Sequence, residues 1–281
     1  MLENKNNNNQ SMVSVTTRVL SRLKGFLSDV LMAFSEHKCP VWAASLAYFS
    51  FFSIFPFLMF LVYLGSEVIS TGNVRQELRG LLEQAIPIYS DRINQIVDQT
   101  VDVRGPIGFV GLVGLIWGGS SIFNVLERAL CEIWGVDPRS FWRRRALAIV
   151  SLLILGLIFP ASFYIGPMVK WFVVLIGVSD SKWINFGLAM AVGVITCYTL
   201  FRVFPNREVH WVSAITGAVV GTSLIEAAKY GFTLYLGSAF VNYGAVYGSI
   251  TWMVALALWV YFVGILFFFG AEVAAAMQRR R

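Results

Sequence analysis

Charge is scarce in this chain. Only 14% of its 281 residues are Asp, Glu, Lys or Arg, against roughly 25% in a soluble globular domain. With 57% of the residues hydrophobic and a mean hydropathy of +0.68, that shortage excludes an ordinary soluble fold and points to a membrane protein. Cysteine is scarce too. Cys39, Cys131 and Cys197 are unevenly spaced and form no CxxC pair, which excludes a disulfide framework and a structural zinc site. Histidine is limited to His37 and His210, too few for a histidine-rich metal centre, although an all-carboxylate site is not excluded. There is no GxxxxGK(S/T) phosphate loop, so no nucleotide-binding motif is present, and no cofactor or metal is expected.

Long apolar runs are abundant. A helix needs about 20 apolar residues to cross a hydrocarbon core of roughly 30 Å, and six segments meet that test, at 41–64, 106–130, 146–168, 183–204, 211–235 and 246–270. The fold class is therefore all-α, a polytopic membrane protein with six transmembrane helices. No apolar core with a small-residue cleavage site lies in the first 39 residues, so the first span is expected to act as an uncleaved insertion signal. Lys and Arg set the orientation. Basic residues gather before the first span, in "PRSFWRRR" between the second and third, around "PNREVH" between the fourth and fifth, and in the final "QRRR". The loops on the other side carry few, or are outweighed by acids. Both termini are thus predicted to be cytoplasmic.

Four regions follow. Residues 1–14 form an Asn-rich tail that reads as disordered. Residues 15–38 read as an amphipathic helix, with Val19, Leu23, Phe26, Val30 and Phe34 on one stripe, lying on the cytoplasmic leaflet or packed under the bundle. Residues 39–275 form the membrane domain, interrupted by an extracytoplasmic helical loop at 65–105, and 276–281 are a basic cytoplasmic tail.

Within the spans, Gly105, Gly108, Gly111 and Gly114 recur every three residues and predict close helix packing. Ser120, Ser121 and Asn124 make a polar patch after them, while Glu127 and Arg128 read as interfacial anchors. Pro56, Pro160 and Pro167 are expected to kink their helices. The most unusual feature is "SLIEAAKYGF". Glu226 and Lys229 stand three residues apart, hence on one helix face, about 22 and 27 Å along the fifth span. Ionisable groups at that depth are costly and point to function. Three readings stay open: a mutual ion pair that fixes helices, a polar lining for a charged ligand, and Lys229 alone reaching lipid phosphates. Asn242, Tyr243, Tyr247 and Ser249, expected at the outer end of the last span, either extend that lining or form an interfacial aromatic belt. Arg139, Arg143, Arg144 and Arg145 are expected to meet lipid headgroups, and Glu272 is expected to cap a helix or pair with an arginine.

Taken in order, "AASLAYFSFFSIFPF", "LIWGGSSIFNVLERALCEIWGV" followed by "FWRRR", "EAAKYGFTLYL" and "VYGSITWMVALALWVYFVGILFFFGAE" resemble the YihY/BrkB family over nearly all of 38–275. The resemblance implies a six-span bacterial inner-membrane protein, of a family long labelled "ribonuclease BN". The residues do not favour nuclease chemistry, because clustered acids that an RNA strand can reach are missing and the basic runs are explained by orientation. Neither an enzyme nor a nucleic-acid binder is expected. The leading reading is transport or accommodation of a lipid or other amphipathic envelope molecule, with membrane lipids as partners. A small-solute transporter or channel and a non-transporting scaffold are the alternatives, and a homo-oligomer is compatible with all three.

Overall fold

The computed structural model describes Ser21 and residues 24–70, 104–151, 182–247 and 250–281. Among the described residues there are seven helices and no strand: α1 over 24–36, α2 Cys39–Ser70, α3 Arg104–Ile133, α4 over 141–151, α5 Lys182–Val203, α6 Trp211–Tyr247 and α7 Ile250–Arg279. Five are long and apolar enough to cross a bilayer, within Cys39–Phe60, Gly108–Ile133, Phe186–Val203, Trp211–Leu234 and Met253–Arg279. They coincide with five of the six expected spans. The third expected span lies outside the described residues beyond Ser151, with Pro160 and Pro167. Most of the 65–105 loop and the first 20 residues also lie outside them.

Many large apolar side chains on these helices are exposed, including Phe109, Trp117, Val192, Ile195 and Val254. Apolar patches of that extent would be an aggregation hazard in water but are the natural surface of a helix set in lipid.

The chain divides into two compact units. The smaller comprises 47–124 and 141–163. There the predicted glycine stripe of α3 meets α2: a Cβ added at Gly108 would strike the Tyr63 ring, at Gly111 the backbone of Phe60, at Gly114 the ring of Pro56, and at Gly118 the Ser53 hydroxyl. The every-third-residue glycines are thus a packing surface. Pro56 lies inside α2, which is continuous from Cys39–Ser70, and its ring fills the space left by Gly114.

The larger unit comprises 1–46, 125–140 and 164–281. In it α6 packs against both α5 and α7. Gly217 and Gly221 of α6 lie against Gly270 of α7, so closely that a Cβ on Gly270 would come within 2.8 Å of the Gly221 Cα. α1 packs Val30 into a cluster with Val273 and Ala276 of α7, flanked by Phe26 and Phe269. Its opposite face leaves Leu27, Leu31 and Met32 exposed. One face of the amphipathic helix is thus packed under α7, and the other is open.

α3 ends by a Schellman motif. Gly135 adopts φ +62°, its N–H donates to Glu132 O, and the Val136 N–H donates to Cys131 O. At the α1–α2 elbow Lys38 takes the same left-handed conformation without glycine's freedom, at φ 52°. At the far end α7 runs to Arg279, so most of the predicted basic tail is helical.

Candidate functional site

α6 places Glu226 and Lys229 on one face, as the spacing predicts. The Lys229 Nζ lies 2.5 Å from Oε1 of Glu226. Glu226 is buried, whereas the Lys229 side chain keeps 48% of its surface open. The pair is therefore asymmetric: the carboxylate is held inside and the ammonium stands at the surface. Beside it, Ala228, Gly231 and Phe232 of α6 and Leu258, Trp259 and Phe262 of α7 line a cavity of about 430 Å³. That lining is almost wholly apolar, Trp259 carrying its one side-chain polar group among the described residues, and the Phe232 and Trp259 rings are 4.7 Å apart. Gly231 keeps it open, since nothing lies within 4 Å of where a Cβ would stand. Lys229 follows Ala228 on α6 but is not itself among the residues that line the cavity.

The expected partners of this pair are placed otherwise. Asn242, Tyr243 and Tyr247 belong to the last turns of α6, not to the start of the final span, and α7 begins only at Ile250. On one helix, Asn242 lies about 20 Å further along the axis than Lys229, so it does not face the pair from a neighbouring helix. The stretch 236–247 holds no proline, and the helix runs on through Gly237, Ser238 and Gly244 to Tyr247. Ser249 lies outside the described residues. Ser120, Ser121 and Asn124 belong to the smaller unit. Both serine hydroxyls donate to the Trp117 carbonyl of their own helix, and the buried Asn124 Oδ1 has no hydrogen-bond partner among the described residues.

The four arginines also differ. Arg143 and Arg145 are exposed, and Arg144 lies over the Phe141 ring. Arg139 is instead enlisted inside the larger unit. Its guanidinium donates to the carbonyls of Val203, Phe204 and Pro205, closing the C-terminus of α5, and lies 3.6 Å from Glu127. Its own backbone N–H donates to the same carboxylate. Such a fork of donors is what an arginine offers and a lysine does not.

Sequence reasoning missed the network around the fully buried Glu272. The His37 Nδ1 lies 2.5 Å from one of its oxygens, the Cys39 thiol donates to the same oxygen, and Arg279 donates to the other. Nearby in sequence, the Trp42 indole N–H donates to Glu132. The left-handed turn at Lys38 separates His37 from Cys39, and both reach the one carboxylate. Only the Glu272–arginine contact was foreseeable. His37 is 235 residues away from Glu272, and no local pattern joins them.

Long apolar helices, lipid-type exposed faces and ionisable groups held in pairs define a polytopic α-helical membrane protein. The family described as Virulence factor BrkB matches residues 30–281, and the chain belongs to that family. It is 30% identical to a Bacillus subtilis protein whose name calls it only "ribonuclease-like", YfkH, over 91% of this chain and 96% of the relative. It is 28% identical to the UPF0761 membrane protein RC1_0578 of Rhodospirillum centenum, over 94% of this chain and 61% of the relative. A UPF0761 membrane protein of Kangiella koreensis is 25% identical over 92% of this chain and 64% of its own length. The chain thus spans less than two thirds of these two longer relatives. No solved structure matches it.

Proposed function

We propose that the chain accommodates, and in its working cycle moves, a lipid or similar amphipathic anion at the slot between α6 and α7. The observation that carries this reading is the almost wholly apolar cavity of about 430 Å³, which shares α6 with an exposed lysine paired to a buried glutamate. An acyl chain fits the slot, and Lys229 meets a phosphate. Glu226 holds the ammonium in place when no anion is present and lowers the cost of an ionised lysine at that depth. A soluble ion or sugar would find at most the Trp259 indole N–H in that lining, so the slot favours lipid over a small polar solute. The scaffold reading draws on the same short Glu226–Lys229 contact and is separated by experiment.

The purified wild-type protein, examined by native mass spectrometry after gentle delipidation, is expected to keep bound phospholipid. Ala228→Trp fills the slot and is expected to weaken that retention about tenfold, a loss of roughly 1.4 kcal/mol. Lys229→Met together with Glu226→Gln should weaken it by a smaller factor, since a basic contact to anionic lipid is worth about 1 kcal/mol. If both variants fold normally and keep wild-type lipid, the pair is a structural clamp and the slot is mere packing.

We further infer a bacterial inner-membrane location with both termini cytoplasmic. The Lys and Arg of the N-terminal segment, the 138–145 loop, the α5–α6 hairpin and the C-terminus support it. Alkaline phosphatase fused after Arg281 should then be inactive in cells, and an active fusion would overturn the orientation.

A further inference from the structure

A second cavity, of about 850 Å³, opens at the α5–α6 hairpin, at the other end of α6 from its tyrosine-rich turns. Its size falls in the range of roughly 300–1,000 Å³ usual for small-molecule sites. Its character is the reverse of the α6–α7 slot. Arg139, Arg202, Arg207, Glu208, His210 and Trp211 are among its lining residues.

Arg139 is spent on the three carbonyls at the end of α5 and on Glu127, so it builds the wall rather than offering a charge. The other cations are different. Among the described residues Arg202 and Arg207 have no carboxylate partner. Arg202 is propped on Tyr198, donating to its hydroxyl at 2.6 Å, and Arg281 joins the cluster by a 2.8 Å contact to His210 Nδ1. Among the described residues, Glu208 is the one carboxylate in the lining. The basin therefore holds a surplus of guanidinium groups.

The loop that carries them is held from three directions. Arg139 fixes the carbonyls of 203–205, the Asn206 amide donates to Asp137 O, and the Gln278 amide donates to Glu208 O. Orientation alone accounts for basic residues near a membrane surface, but it does not require them to line a pinned concave pocket. The pocket also contains the start of α6, whose 37 residues put the positive end of a long helix dipole beside His210 and Trp211. Guanidinium forks matched to oxyanions and a helix N-terminus both select phosphate.

The geometry points to a phosphate-binding site at the α5–α6 hairpin, formed by Arg202, Arg207 and Arg281 around the start of α6. Its ligand is a phosphorylated small molecule or the phosphate of a lipid headgroup. The site is independent of the lipid slot, and neither stands or falls with the other.

The test uses the full chain. In neutral detergent, pyrophosphate is titrated by calorimetry; in parallel, the protein is reconstituted in phosphatidylcholine nanodiscs with and without phosphatidylglycerol, and retained anionic lipid is quantified. Arg202→Gln with Arg207→Gln is expected to weaken binding about tenfold or more, because each charge-assisted contact is lost. Glu208→Gln, which removes the opposing carboxylate, is expected to tighten it. Pyrophosphate binding with these shifts assigns a soluble phosphate ligand. The same shifts seen only in phosphatidylglycerol retention assign the headgroup. If neither probe separates the three proteins, there is no phosphate site in the basin.

Discussion

Three buried or half-buried acids, Glu127, Glu226 and Glu272, each sit against a base, and each case shows a different use of charge in an apolar chain. Glu226 and Lys229 are neighbours on one helix, and their pairing follows from spacing alone. Glu127 works through Arg139, which ties one helix end to another. Glu272 gathers His37, Cys39 and Arg279 from both ends of the sequence. The first was legible in the sequence, the second only as a helix-end charge, and the third in one of its partners. Legibility falls as the contacts become less local. Arg139→Lys tests the fork directly. A lysine keeps the charge but cannot span three carbonyls and a carboxylate, so a loss of about 1–3 kcal/mol is expected. It should appear as a lower midpoint of thermal unfolding in detergent. An unchanged midpoint would show that charge alone suffices there.

The helices were legible where apolar length decides their extent and misread where it does not. Five spans fall where the runs of hydrophobic residues place them. α6 does not stop with its apolar run, however, because backbone hydrogen bonds continue as long as no proline or cap intervenes, and it carries Asn242, Tyr243 and Tyr247 with it. Packing between helices was legible in the smaller unit, where the glycine stripe of α3 was conspicuous. In the larger unit the close contact is made by Gly217 and Gly221, a small-xxx-small pair, against the lone Gly270 of another helix. The spacing was in the sequence, but its partner was not. Gly270→Leu is expected to force α6 and α7 apart and to cost about 1–3 kcal/mol through overpacking. Size-exclusion chromatography and thermal unfolding of the purified variant would show it. A variant as stable and monodisperse as the wild type would mean that the contact is slack.

At the scale of the whole molecule, the shortage of charge was the most informative property of the chain. It fixed the membrane class, and the placement of the few basic residues then carried the orientation argument. What composition does not reveal is how the remaining polar groups are divided. The structure shows an apolar slot between α6 and α7, an exposed lysine paired with Glu226 on α6, a pinned basic basin at the α5–α6 hairpin, and internal clamps. The proposed amphipathic-anion site rests on the first two of these alone. The most direct measurement is an electron-microscopy density map of the wild-type protein in lipid nanodiscs. The expected result is elongated density in the slot lined by Phe232, Trp259 and Phe262, with a compact headgroup feature at Lys229. A slot closed by side chains, or empty with Lys229 turned only to Glu226, would contradict it.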